Sequence, residues 1–232
     1  MSIIKNIGDW EEILSPILAT NYMDNLGRFI YTKYATELDI TPANPVDIFN
    51  PFRNCSFENL KTVMIFDYPL TLNSNGIPMG TNNREITTEA ELFYNAIGSE
   101  LNIDNIVIDS EMKDLSNKGV LMLNYSPISV ISGSAQGFYD QWDKFNRFII
   151  KYISDHKDKV AFVLISHKSK KLKNLIDQSK HKIIKSRSLY YAIKKDRKEW
   201  NFSNFKDINK FISDGDDARS IVWNCNKENL PF

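Results

Sequence analysis

The chain has little of what would give an easy answer. Among its 232 residues are two cysteines, Cys55 and Cys225, and three histidines. Two cysteines do not make a disulfide framework, and no Cys/His cluster has the spacing of zinc ligands, so no metal or other cofactor is expected. No run approaches eighteen apolar residues, and the N-terminal stretch carries Asp9, Glu11 and Glu12 where a signal peptide needs a clean apolar core. A soluble protein of a reducing cytoplasm, bacterial or of an infected host cell, with no membrane partner, is therefore expected. Formal net charge is also missing: 29 Lys and Arg balance 29 Asp and Glu. That excludes a histone-like polycation and a disordered acidic protein alike.

What is there is unevenly placed. Residues 168–198 hold twelve Lys and Arg against Asp177 and Asp196, a local balance of +10 against −10 for the remainder. Such a run is either a wet helix face or a surface turned towards phosphates. With 42% hydrophobic residues, the chain can bury a full core as one domain over residues 1–232.

Short apolar runs at 62–66 (TVMIF), 120–123 (VLML) and 160–165 (VAFVLI) read as buried parallel strands, with a fourth at 182–185 (KIIK). Helical periodicity occupies 10–34, 89–101, 139–154 and 170–178. In the third of these, Trp142, Phe145, Phe148, Ile149 and Tyr152 fall on one stripe. Strands alternating with helices imply an α/β fold with a central, mostly parallel four-stranded sheet flanked by helices. Ligands of such sheets bind beyond the carboxyl ends of the strands. The segments that follow the strands, 67–80, 124–137, 166–171 and 186–192, are thus where chemistry is sought. Asp67 there is either a carboxylate in a pocket or a turn-forming residue ahead of Pro69. Asn124 is either a reader of a base edge, able to donate and accept, or an amide tying strands together.

Several pieces are collinear with one family. Asp47-Ile48-Phe49-Asn50-Pro51-Phe52-Arg53 precedes the first strand, Gly119 to Asn124 reads Gly-Val-Leu-Met-Leu-Asn, and Ser129 through Ser132-Gly133-Ser134-Ala135 leads to Trp142 and Phe145. His181-Lys182-Ile183-Ile184-Lys185 follows a lysine-rich stretch, and Phe202-Ser203-Asn204-Phe205 leads through Asn209 to Ile221-Val222-Trp223. In this order, from about Trp10 to Trp223, the chain resembles the uracil-DNA glycosylase family.

The departures fall on the family's catalytic motifs. Where the family's water-activating loop reads Gly-Gln-Asp-Pro-Tyr-His-Gly, the strand here runs into Ile65-Phe66-Asp67-Tyr68-Pro69-Leu70, with the glycine lost and the order changed. Without gaps its catalytic Asp matches Tyr68, and with a one-residue shift Asp67. The histidine of its second motif matches Ser188, and the aromatic that stacks on the base matches Met79. The resemblance thus implies Asp67 and Ser188 as catalytic positions and Asn124, Met79 and Tyr68 as base-binding ones. The basic segment, with aromatics set between its cations, gives Lys185, Arg187, Leu189, Tyr190, Tyr191, Lys194 and Lys195 as the DNA-facing set, Tyr190 and Tyr191 being either base-stacking or wedging side chains or core aromatics. His167, the one histidine that follows a strand, is a further pocket candidate or a surface residue. The expected function is a uracil-DNA-glycosylase-like protein that binds DNA or a nucleobase with ordinary uracil excision lost or much reduced. One alternative is an active glycosylase for a modified pyrimidine using Asp67. Another is an inactive docking subunit of a replication or DNA-modification complex, with a protein partner. The Asn- and Lys-rich composition suits a phage or viral source.

Overall fold

The computed structural model describes residues 4–133, 136–195 and 199–225. Eight helices are named here: α1 (Trp10–Leu18), α2 (Asn21–Thr36), α3 (Asn50–Asn54), α4 (Thr88–Leu101), α5 (Lys113–Asn117), α6 (Gln136–His156), α7 (Leu189–Lys194) and α8 (Phe205–Ser213). The strands are β1 (Ile40–Thr41), β2 (Thr62–Phe66), β3 (Val120–Asn124), β4 (Ser129–Val130), β5 (Ala161–Leu164) and β6 (Lys182–Lys185). Four of them form a sheet in the order β3-β2-β5-β6, and every pairing in it is parallel. The α/β architecture is the one the apolar runs imply.

Strand periodicity distributes the core. Val63, Ile65, Leu121, Leu123, Phe162 and Leu164 point to one face, where they meet Trp10, Leu14, Leu26, Trp142, Phe145 and Ile149 of α1, α2 and α6. Met64, Phe66, Val120, Met122, Ala161 and Val163 point to the other, against Phe93, Ile97, Phe205 and Ile208 of α4 and α8. Both faces are covered, which is why β2, β3 and β5 are buried along their whole length rather than alternating.

Two helix expectations need correction. The segment 10–34 is not one helix: Pro16 removes an amide donor from α1, and Thr20 turns extended at ψ 150° and caps α2 by accepting the Met23 N–H at 3.4 Å. The segment expected as a helix at 170–178 is a 3-10 turn, Ser169–Leu175. Its three-residue period brings Ser169, Leu172 and Leu175 onto one side, and Leu172 is fully buried. Two-residue β1 and β4 pair antiparallel away from the main sheet, too short to leave a sequence pattern. No helix among the described residues is long and apolar enough to cross a membrane.

Candidate functional site: a cleft at the carboxyl edge of the sheet

Adjacent β2 and β3 end together, with Phe66 in register with Asn124. The chains leaving them are stapled: the Tyr125 N–H donates to the Phe66 carbonyl at 2.9 Å and the Ser126 N–H to that of Asp67 at 3.0 Å. Asp67 and Asn124 therefore leave the sheet side by side. The loop after Asp67 is folded on Asn75. Its side-chain oxygen accepts the Ile77 N–H at 3.0 Å, its amide donates to the Glu111 carbonyl at 2.9 Å, and its own carbonyl accepts from the Asn50 amide at 2.7 Å. Gly76 is required within it. At φ +86° it passes so close to α3's approach that a Cβ would sit 1.8 Å from the Asp47 carbonyl oxygen. The loop delivers Met79 in the left-handed region at φ 68°, uncommon for a non-glycine residue. Thr87 ties that point to α4, since its hydroxyl donates to the Met79 carbonyl at 3.2 Å and accepts the Ala90 N–H at 3.1 Å.

These segments enclose a cleft of about 480 Å³, counting the open solvent at its mouth. Asp67, Tyr68, Met79, Asn124, Leu189 and Tyr190 all line it. Ser188 stands behind: its hydroxyl donates to the Asp67 Oδ2. Although Ser188 occupies the N-cap position of α7, its side chain caps nothing there. The Asp67–Ser188 pair thus joins the ends of β2 and β6 across 121 residues of sequence.

Asn124 is 5% exposed, and its Nδ2 is sealed from solvent with no hydrogen-bond partner. A buried amide donor without a partner is costly and needs a reason. Above it the wall is aromatic. Tyr68 packs against Tyr190 with ring centroids 5.6 Å apart and against Tyr139 at 6.0 Å. Burial, and then the hydroxyl contact with Tyr190, push the Tyr68 phenol well above its ordinary range, so it stays a neutral donor.

One member of the site was not expected. Glu89, in the first turn of α4, also lines the cleft, and burial raises its carboxyl above the ordinary glutamate value. Acids in a first helical turn are ordinary partners of the helix dipole, so Glu89 beside Glu91 carried no distinguishing signal.

The DNA-facing set divides. The period of α7 turns Leu189 and Ala192 inward and Tyr190, Tyr191 and Lys194 outward. Leu189, expected to reach DNA, is instead 3% exposed, packed in the core beneath the cleft, and that expectation is corrected. Lys185, Arg187, Lys194 and Lys195 are exposed around the same edge, and Tyr190 and Tyr191 are partly exposed. Within the basic segment, Lys180 and Lys182 face Asp158 and Asp207 at 3.5 and 3.7 Å. Asp196 and Lys198, like Ser134 and Ala135, lie outside the described residues.

Among the described residues no histidine lines the cleft. His167 is exposed, in line with its reading as a surface residue. His156 stacks on Tyr152. His181 is buried between the Val160 N–H and the Ser154 carbonyl, a structural tie.

The protein is a four-stranded parallel sheet covered on both faces, with a narrow cleft at its carboxyl edge, where ligands of such sheets bind. No family model matches the chain. It is 29% identical over 181 residues to the uracil-DNA glycosylase of Borrelia turicatae, covering 76% of this chain and 80% of that protein. It is also 29% identical over 189 residues to that of Flavobacterium johnsoniae, covering 79% and 83%. Among solved structures, mimivirus uracil-DNA glycosylase superposes with a TM-score of 0.79 at 17% identity, over 94% of this chain and 86% of the other. The UNG of Nitratifractor salsuginis superposes at 0.56, with 13% identity, over 82% and 87%. In sequence and in fold the chain is similar to uracil-DNA glycosylases.

Proposed function

We propose that the protein binds DNA and takes an extruded nucleobase into this cleft, with ordinary uracil excision much reduced. The observation that carries the reading is the sealed, unpartnered Nδ2 of Asn124 in the wall of a cleft that also holds Asp67. An incoming base carbonyl would supply the missing acceptor. Chemistry on a base requires it to leave the stack, and the aromatic and thioether walls of Tyr68, Tyr190 and Met79 suit an unstacked ring. Lys185, Arg187, Lys194 and Lys195 would hold phosphates at the rim.

The reduction follows from donors. Uracil leaves its sugar as an anion, which must be met by a strong hydrogen-bond donor. Ser188 has one hydroxyl proton, and it is directed at Asp67. Among the described residues that line the cleft none is Lys, Arg or His. Absence of one preorganised donor costs roughly 10²–10³-fold in rate. Asp67 remains able to steady a sugar cation.

The test is strand cleavage at uracil-derived abasic sites in a labelled oligonucleotide. Turnover at least a hundredfold below that of the Borrelia turicatae relative is expected, and equal turnover overturns the reading. Residual activity should disappear in Asp67→Asn, whose amide carries no negative charge.

A further inference from the structure

The cleft has an electrostatic character that a uracil site does not need. Two carboxylates line it, Asp67 from the end of β2 and Glu89 from the start of α4, and no Lys, Arg or His is among its described lining residues. The wall also carries the aromatic or soft side chains Phe66, Tyr68, Tyr190 and Met79, beside aliphatic and hydroxyl residues such as Leu70, Leu189 and Thr71. Aromatic faces attract cations through the ring quadrupole, and more strongly when water is excluded. Behind this wall Lys168 lies over the ring of Tyr139, 5.5 Å from its centroid, and Tyr139 in turn packs on Tyr68. Independently, Asn124 lines the same space, and its buried Nδ2 has no hydrogen-bond partner.

We infer that the cleft is selective for a positively charged, N-alkylated pyrimidine that carries a ring carbonyl and an exocyclic amine, of which N3-methylcytosine is the simplest example. This rests on the base-binding reading above and names its substrate class. The three features of such a base meet three features of the wall. The carbonyl accepts from Asn124, the amine N–H groups donate to a carboxylate, and the delocalised charge lies between aromatic faces and two acids. Neutral uracil offers the carbonyl but no charge, and its leaving form is an anion that both carboxylates repel.

The inference also accounts for the missing donor. When the bond between the sugar C1′ and N1 of a cationic base breaks, its electron pair goes to N1 and cancels the ring's positive charge. The base leaves neutral and needs no oxyanion donor. The sugar keeps the positive charge, which the Asp67 carboxylate faces. Water adds its oxygen to C1′ and gives its proton to Asp67, which releases it to solvent. The products are a neutral base, an abasic sugar and one proton. Histidine chemistry is therefore dispensable for this class of substrate and not for uracil.

The experiment compares two otherwise identical oligonucleotides, one with a single N3-methylcytosine and one with a single uracil. The unmodified full-length protein is measured by equilibrium binding of versions made unhydrolysable by 2′-fluorination, and by mass spectrometry of the released base. At least tenfold tighter binding of the methylated base is expected, with faster release. Glu89→Gln, checked for folding by circular dichroism, should bring the two affinities close to parity. Equal or weaker binding of the cationic base to the unmodified protein overturns the inference, and that measurement needs no variant. Asn124→Ala separates the two levels of the argument. If affinities are equal and fall together in Asn124→Ala, the base cleft stands and the charge selectivity is wrong. If Asn124→Ala leaves both unchanged, the base-binding reading itself fails.

Discussion

Replacing Asn124 by leucine should make the protein more stable and less able to bind. Two buried asparagines allow the comparison to be made within one molecule. Asn146, 4% exposed on α6, donates its Nδ2 to the Tyr125 carbonyl at 2.7 Å, so its amide is satisfied. Asn124 is equally buried and its Nδ2 has no partner. Holding a buried donor unsatisfied costs about 1–3 kcal/mol, and an isosteric apolar residue escapes that cost. On β3, Asn124 shares a face with Val120 and Met122 and lies in register with Phe66, so a leucine there meets apolar neighbours. For a chain of this size 1 kcal/mol corresponds to about 2–4 °C in Tm, so Asn124→Leu should raise Tm by about 2–12 °C. Asn146→Leu should lower it, because the Tyr125 carbonyl then loses its donor. The assay is thermal unfolding of the three proteins in one buffer, read by circular dichroism, beside their affinity for an oligonucleotide. A fall in Tm for Asn124→Leu of the same size as for Asn146→Leu would show that the Asn124 amide is a structural tie and refute the reasoning.

Two further outcomes are expected. Burial raises the Glu89 carboxyl above the ordinary 4.5, so the folded state holds that proton to a higher pH than the unfolded chain does, and stability falls as pH rises through the interval between the two values. Glu89→Gln should therefore melt with the parent protein below pH 4.5 and above it at neutral pH; curves that stay parallel across the series would contradict this. DNA affinity should fall steeply with salt, by roughly 0.9 in log–log slope per phosphate contact. Changing Lys185, Arg187, Lys194 and Lys195 together to Ala should remove up to about 3.6 of that slope, whereas changing Tyr190 and Tyr191 should weaken binding at nearly constant slope. Intact binding after the fourfold change would move the DNA contact elsewhere.

The sheet was legible because its physics is written in short runs. A parallel strand covered on both faces must be apolar at every position, and Thr62–Phe66 and Ala161–Leu164 are buried at every position. The stripe of Trp142, Phe145 and Ile149 placed α6 for the same reason. What could not be read were events decided by one or two atoms. The end of α1 depends on Pro16 and on a capping hydroxyl at Thr20, inside a stretch whose apolar period runs on without a gap. The Ser169–Leu175 turn has a sequence compatible with either helical period. Only the fit of Leu172 into the core selects the tighter one.

The site was legible where it sits at strand ends and illegible where it depends on rotation about a helix. Asp67 and Asn124 follow β2 and β3, and parallel pairing alone brings such positions together. Leu189 and Glu89 lie in first turns, where the side of the helix that faces the cleft depends on how the helix docks. For α7 the docking turns Leu189 into the core and leaves Tyr190 at the cleft. For α4, the Thr87 hydroxyl bonded to the Met79 carbonyl fixes the first turn against the loop and so points Glu89 inward. Asp67 and Glu89 at the cleft, with the Ser188 hydroxyl turned to Asp67, are the features from which a preference for a base that enters as a cation and leaves neutral is inferred.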